Sequence, residues 1–181
     1  MDSDLELLQK ALQTVTQGMS DKQLQWCPAG KWSVAEVLEH LYLTYTGTIK
    51  GLNRLLAGAK PLALAPSMKH RLQTFVVLGL NYLPSGRKAP PQTVPKGLPT
   101  DRVTMEMLAK ILAMDKILQE CERRFGAGPL LDHPFLGPLT AKQWCRFHLI
   151  HGRHHVKQIM RLRQQMSKSA ICRRRIEIKQ V

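Results

Sequence analysis

The sequence predicts an all-α protein, and more specifically a four-helix bundle. Apolar side chains recur at three- and four-residue steps in four long segments, and no segment shows the alternating pattern of a β-strand. Three of the four segments also open on Ser or Thr followed three residues later by Glu or Gln. This is the capping box that satisfies the free backbone groups of a helix N-terminus. Four amphipathic helices with connections of mixed length are typical of a helical bundle.

The first two helices have the clearest start signals. We predict one helix over residues 3–19, opening on the capping box Ser3–Glu6, and a second over residues 33–56, opening on Ser33–Glu36. The apolar stripe of the first helix consists of Leu5, Leu8, Leu12 and Val15. Trp32, just before the second cap, can pack onto that helix and fix its entry.

The middle of the chain is less regular than its ends. Residues 66–80 could form a short helix, whereas Pro84–Pro99 holds five prolines and is predicted to be a loop or an extended wrap. The third long helix is predicted over residues 100–125. The fourth opens on the capping box Thr140–Gln143 and continues to roughly Met166. The apolar positions assigned to the third helix are Met105, Leu108, Ile111, Leu112, Met114 and Leu118.

Length and composition indicate one cytoplasmic domain. The chain has 181 residues, 44% hydrophobic and 22% charged, which suits a single core over residues 1–166. Four scattered cysteines without a CxxC pair argue for a reducing compartment. The sequence starts acidic where a signal peptide is basic, and its longest apolar stretch, Phe75–Leu80, is too short to span a bilayer. We therefore expect a soluble protein without membrane contact.

The net charge of +14 is concentrated at the end of the chain. Residues 141–181 carry eleven basic and one acidic side chain, whereas residues 1–40 carry three basic and six acidic ones. We predict that residues 167–181 form a basic, poorly ordered tail. The charge is therefore only a weak argument for a nucleic-acid partner.

Four of the seven histidines lie within eight residues of the predicted fourth helix: His148, His151, His154 and His155. At about 100° per residue, His155 lies about 40° and His148 about 60° from His151 around the helix. Trp144 and Leu162 fall in the same sector, so three imidazoles lie on the face that should be buried. An unpaired buried polar group costs about 1–3 kcal/mol. One metal ion would explain several of these imidazoles at once.

The histidine spacing allows chelation of a divalent ion. His151 and His155 project side by side from one helix face, and a third ligand must then come from another element. His40, beside the apolar face of the second helix, is the best candidate. Three neutral imidazoles on facing helices would leave positions open for water or substrate. An HxxxH pair is a weak signal by itself, because buried histidines often only hydrogen-bond a carbonyl group.

Three stretches together resemble the DinB/YfiT-like superfamily of metal-binding four-helix bundles. They are residues 31–41 (KWSVAEVLEHL), 133–140 (HPFLGPLT) and 151–158 (HGRHHVKQ). They are most similar to a largely uncharacterised branch with an HPxxG turn and an HxxHHxxQ signature, and the resemblance covers roughly residues 5–165. It implies a divalent ion, commonly zinc or nickel, held by His40, His151 and His155.

Four further residues lie near this predicted site. His148 is expected to form a structural hydrogen bond, to support a ligand from behind, or to be a fourth ligand. His154 is expected to pack or cap at the edge of the site. His133 either fixes the HPFLG turn or lines the mouth of the pocket. Glu39 could orient a ligand or act as a base, but it points about 100° away from His40, so we expect an exposed salt bridge.

The resemblance implies a function class more loosely than it implies a site. Its characterised members are metal-dependent transferases of low-molecular-weight thiols, thiol-dependent isomerases and a few hydrolases. We predict a metal-dependent transferase or hydrolase acting on a small molecule such as a low-molecular-weight thiol. Two alternatives stay open: a non-enzymatic, stress-associated bundle with a structural metal or none, and a binder of nucleic acid or an acidic partner through the basic tail. Dimerisation is common in the superfamily, so a homodimer is an assembly that the resemblance allows.

Overall fold

The computed structural model confirms the all-α bundle. It describes residues 4–58, 60–61, 65–84, 86 and 88–178, without the side chains of residues 169–178. The four long helices are α1 (Asp4–Thr16), α3 (Val34–Leu56), α5 (Thr100–Phe125) and α6 (Ala141–Ile178), and a short helix α2 (Asp21–Gln25) lies between the first two. α3 packs along α5, while α6 packs against α1, α5 and α3. No helix among the described residues is long and apolar enough to cross a membrane.

Two of the predicted capping boxes are formed. The Glu36 backbone N–H donates to Ser33 Oγ at 3.2 Å, and the Ser33 N–H donates to Glu36 Oε2 at 2.7 Å. At the start of α6, the Gln143 N–H donates to Thr140 Oγ1 and the Thr140 N–H donates to Gln143 Oε1. The box predicted at Ser3 lies outside the described residues. Both formed boxes fix the starts of the two helices that carry the candidate site.

The core follows the predicted stripe of α1, in which all four positions are buried. In α5 the buried stripe consists of Val103, Met107, Ile111, Met114, Leu118 and Cys121. The prediction for Met105 is wrong, since its side chain is 71% exposed. Met105 lies two residues from Met107, which places it on the opposite side of the helix.

A helix is present in the predicted 66–80 region. It consists of α4 (Met68–Thr74), followed by one wide, π-helical turn over Phe75–Gly79. The proline-rich strap, residues Pro84–Pro99, is an irregular loop whose described residues form one 3₁₀ turn, at Pro91–Thr93; residues 85 and 87 lie outside the description. The strap contacts α3, so it covers the half of α3 that carries the site.

The expectation that no strand is present is wrong at one place. β1 (Leu131–His133) and β2 (Gly137–Leu139) form an antiparallel hairpin around the HPFLG turn. Gly137 has a φ of +71°, and a Cβ there would clash with the imidazole ring of His70, so glycine is required.

The last helix is longer than predicted, ending at Ile178 and not near Met166. The basic tail predicted for residues 167–181 stays a prediction, because residues 179–181 and the side chains of 169–178 lie outside the description.

Candidate metal centre

Three buried histidines converge between α3 and α6. His40 Nε2 lies 3.2 Å from His151 Nε2, and His155 Nε2 lies 3.1 Å from the same atom. One nitrogen of each ring lies within 4.8 Å of the other two, and each residue is less than a tenth exposed. The structure thus brings together the three residues that helical spacing and the family resemblance had singled out. We refer to His40, His151 and His155 as the histidine trio.

Helix geometry explains why these side chains meet. His151 and His155 are four residues apart and project from the same face of α6. His40 contacts both of them, whereas Tyr45, later in α3, contacts His148, earlier in α6. The two helices are therefore antiparallel, and the trio lies on their shared inner face.

Hydrogen bonds fix the tautomers of two of the three rings. His40 Nδ1 lies 2.8 Å from the backbone carbonyl oxygen of Thr93, and His155 Nδ1 lies 2.9 Å from Gln158 Oε1. Both oxygens can only accept, so each Nδ1 carries the hydrogen. In the neutral ring the Nε2 atom then has a free lone pair that points into the trio. Outer hydrogen bonds of this kind orient histidine ligands in metal sites.

These tautomers create an electrostatic conflict that a cation would relieve. The lone pairs of His40 and His155 both point at His151 Nε2, whose single hydrogen can be donated to only one of them. At least one contact of about 3 Å therefore has no hydrogen between its two nitrogen atoms. In a tetrahedral site with metal–nitrogen distances of about 2.0–2.1 Å, neighbouring ligand nitrogens lie about 3.3 Å apart. Both Nε2–Nε2 separations, 3.2 and 3.1 Å, are close to that spacing.

The rings are held neutral by their surroundings. Burial lowers the pKa of His40, against a smaller raising effect of its bond to Thr93. Burial, together with the nearby His40, lowers the pKa of His155 to about 3. The pKa of His151 lies well below its usual value because its ring is buried and surrounded by other histidines. Neutral imidazole is the form that binds a metal, so no proton has to be displaced at neutral pH.

The prediction that Glu39 forms an exposed salt bridge is wrong. Its side chain is buried, and its carboxylate accepts hydrogen bonds from the backbone N–H groups of Lys96, Gly97 and Leu98 at 2.6, 3.0 and 3.1 Å. Glu39 does point away from the trio, as the helical angle required, but the strap covers that side of α3. The carboxylate thereby fastens the strap beside His40. This keeps the Thr93 carbonyl within hydrogen-bond distance of His40 Nδ1.

His148 lies outside the trio, in a group that we call the inner cluster: Tyr45, Trp144 and His148. The His148 ring stacks on Trp144 with centroids 5.6 Å apart and meets Tyr45 edge-on at 5.5 Å. Both ring nitrogens of His148, Tyr45 Oη and Trp144 Nε1 have no hydrogen-bond partner among the described residues. The structural hydrogen bond expected for His148 is therefore not present there, and the group of nearby metal-ligating atoms does not include it.

His133 combines the two roles considered for it. Its Nδ1 accepts hydrogen bonds from the backbone N–H groups of Phe135 and Leu136, both at 3.1 Å, which fixes the hairpin turn. Its side chain also lines the cavity beside the trio. Burial lowers its pKa to about 4, so it is a neutral acceptor in this turn. His154 is half-buried at the cavity edge, with its ring 5.3 Å from that of His155.

A cavity of about 1650 Å³ opens onto the trio. α3, the strap, the hairpin and α6 all contribute to its walls. Trp32 packs against His40 with ring centroids 5.2 Å apart, and Phe147 stacks on His151 at 5.3 Å. Three imidazoles between apolar rings and an open cavity form a site that could hold a metal and still admit a small molecule.

Two supporting groups were not identified from the sequence. Thr93 contributes only a backbone carbonyl, which every residue has, so no side-chain pattern marks it. Gln158 was part of the HxxHHxxQ stretch, and its position three residues after His155 was the available signal for a hydrogen bond on the same helix face.

Comparison with known proteins places this site in a family. Residues 1–162 match the family described as "Protein of unknown function (DUF1569)". No curated protein matches the sequence. The fold is similar to the crystal structure of TT2238, described as a four-helix bundle protein, at 21% identity over 87% of this chain and 93% of that chain, with a TM-score of 0.51. Since the family match spans most of the chain and includes the whole histidine trio, the protein belongs to the DUF1569 family.

Proposed function

We propose that the protein binds a divalent metal ion, zinc or nickel, through His40, His151 and His155, and uses it in a reaction of a small molecule. The observation that carries this proposal is the convergence of three Nε2 atoms, two of which have fixed tautomers with lone pairs pointing at the third. The resemblance to DinB/YfiT-like bundles supports the same ligand set.

The chain's own residues prepare this centre. Thr93 and Gln158 orient two of the rings, and Trp32 and Phe147 shield them from bulk water. Three ligands leave positions open on the cavity side. A divalent ion bound by these three residues would lower the pKa of a thiol or water that reached it, and so would supply a nucleophile at neutral pH. The reaction class that fits is a transfer to a low-molecular-weight thiol, or a hydrolysis.

Metal analysis of protein purified without an affinity tag tests the proposal. After incubation with zinc or nickel and removal of free metal, we expect about one equivalent in the wild-type protein. His151→Ala should lose it, because His151 is the ring that both other members of the trio contact. His154→Ala, which removes a neighbouring imidazole outside the trio, is the matched control and should keep it. Less than about a tenth of an equivalent in the wild type, unchanged by His151→Ala, would rule the proposal out.

A further inference from the structure

The charged groups on the cavity wall are mostly basic. Among the described residues they are Lys31, Lys88 and Arg161, against the single carboxylate of Asp132. None of the three basic side chains takes part in an ion pair with another described residue. Unpaired cations that converge on one cavity raise the local concentration of anions and speed their association.

Two of these cations lie at the end of the cavity nearest the trio. Lys31 directly precedes Trp32, whose ring contacts His40. Arg161 follows His155 by six residues, which is about 9 Å of helix rise. Because α3 and α6 are antiparallel, this direction along α6 leads toward the start of α3 and hence toward Lys31. Arg161 is also close enough to His154 to add to the lowering of its pKa, which is mainly due to burial.

The carboxylate is one contact further from the trio than Lys31 is, since it precedes His133, whose ring contacts Phe147, the residue that stacks on His151. Asp132 follows Leu131, which packs directly on Gly51, where a Cβ would come within 2.8 Å of Leu131 Cδ1. Gly51 is eleven residues beyond His40, about 16 Å along α3. Lys31, whose neighbour Trp32 contacts His40 directly, is therefore closer to the trio along the chain of contacts than Asp132 is.

Most of the cavity wall is apolar. It includes Trp32, Leu43, Val76, Leu83, Phe135 and Leu162. Such a lining accepts the carbon chain of a ligand and leaves its polar ends to the few polar groups that converge on the cavity.

We infer that the site takes an anionic thiol. Its sulphur reaches the histidine trio, its carbon chain lies on the apolar wall, and its carboxylate or similar anion lies against Arg161 and Lys31. Lys88, on the strap, adds to the positive potential. This inference rests on the proposed metal centre, because the trio has to bind the sulphur end.

A matched pair of thiols tests the inference on the full-length protein loaded with cobalt(II), a coloured substitute for zinc. The probes are mercaptohexanoate and its uncharged counterpart mercaptohexanol. Thiolate-to-cobalt absorption reports contact of the sulphur with the metal, and calorimetry independently gives the dissociation constants. Arg161→Gln is the test variant. Arg153→Gln, at an exposed arginine of the same helix outside the cavity wall, is its control.

We expect both thiols to produce the absorption, and mercaptohexanoate to bind about tenfold more tightly at low salt. Arg161→Gln should reduce this preference to about threefold or less, and high salt should weaken only the acid, whereas Arg153→Gln should change neither. Equal affinity of the two thiols, or a preference that survives Arg161→Gln, would overturn the anionic assignment and leave the metal centre standing. Calorimetric binding of the acid that depends on Arg161 but gives no absorption would instead contradict the thiol function. If neither thiol bound, both the anionic assignment and the proposed thiol function would be overturned.

Discussion

The histidine trio and the inner cluster meet α6 one turn apart, at His151 and His148, and differ in how their imidazole nitrogens are satisfied. In the histidine trio, outer hydrogen bonds to Thr93 and Gln158 fix two tautomers and direct the lone pairs inward. In the inner cluster, both ring nitrogens of His148 have no partner among the described residues. Burial is similar in the two groups, so burial alone does not mark a metal ligand. His40 and His155 differ from His148 in having oriented rings, with one nitrogen bonded outward and the other free. The Nδ1 atom of His151, like the nitrogens of His148, has no partner among the described residues.

The comparison also shows which residues join the trio to the rest of the fold. Glu39 and His40 are neighbours on α3, and both bond to the strap, one through backbone N–H groups and the other through a carbonyl. The inner cluster has no comparable tie: Trp144 contacts His148 within α6, and Tyr45 of α3 contacts the same His148 ring. The predictions below separate these two regions.

Acid should have the largest effect, because it removes the fold. The pKa values of His133 and His148 are lowered by burial to about 4 and about 3, whereas the value in the unfolded chain is about 6.5. As the pH falls below 6.5, the unfolded state takes up protons that the folded state does not, so the free energy of unfolding decreases. Each histidine contributes about 1.4 kcal/mol per pH unit, or about 2.7 kcal/mol per unit together, between about pH 6 and pH 4. The loss of free energy of unfolding, summed over this pH range, is comparable with the whole stability of a domain.

Urea unfolding of the protein, freed of metal by a chelator, at intervals from pH 7 to pH 4 measures how steeply the free energy of unfolding falls with pH. The histidine trio also makes the free energy of unfolding fall as the pH falls, since the pKa values of its three rings are lowered as well. His148→Leu should remove the share of the inner cluster, about 1.4 kcal/mol per pH unit. A free energy of unfolding that stays constant between pH 7 and pH 5 would show that these histidines are not buried in their neutral form.

Removing the carboxylate that fastens the strap should have the next largest effect. Glu39→Ala leaves three backbone N–H groups without their acceptor, and we expect it to lower the free energy of unfolding by about 3 kcal/mol. This corresponds to a melting temperature lower by about 6–12 °C. Because Thr93 then no longer holds the His40 ring, metal affinity should also fall by about tenfold or more.

The control for this change is Glu120→Gln, which alters an exposed ion pair with Arg123. Exposed pairs contribute about 0–1 kcal/mol, so its melting temperature and metal affinity should stay near those of the wild type. If Glu39→Ala melts like this control, the strap is not held by Glu39. If it loses stability but keeps its full metal affinity, the strap does not position His40.

Most of the fold could be predicted because its signals repeat over short stretches of sequence. The four long helices follow from apolar spacing and from caps whose partners lie three residues apart, so short windows of sequence contain the information. The hairpin was missed because each strand has three residues, too few to show alternation, and its pairing depends on the HPFLG turn. Met105 was misassigned because being apolar does not fix which face of a helix a residue occupies.

The site residues also fall into those that short-range spacing predicts and those whose contacts are distant in the sequence. His151 and His155 are related by helix geometry, and His40 followed from its place on a facing helix together with the family resemblance. The buried role of Glu39 could not be predicted, because its partners are backbone groups 57 to 59 residues away in a segment without periodicity. The same holds for Thr93, 53 residues from His40. Contacts made by backbone atoms across long sequence separations leave no residue pattern to recognise.

The smallest effect should come from the inner cluster, and its sign is the informative part. His148→Leu removes two buried ring nitrogens that have no partner among the described residues and keeps an apolar side chain of similar size in contact with Tyr45 and Trp144. We expect the melting temperature at pH 7 to rise by about 2–4 °C, equivalent to about 1 kcal/mol, with one equivalent of metal still bound. His148→Gln, which keeps polar atoms at the same place, should show no such gain. Should the leucine variant melt below the glutamine variant, or lose its metal, the His148 nitrogens would have to act on the trio, and the two regions would form one polar network.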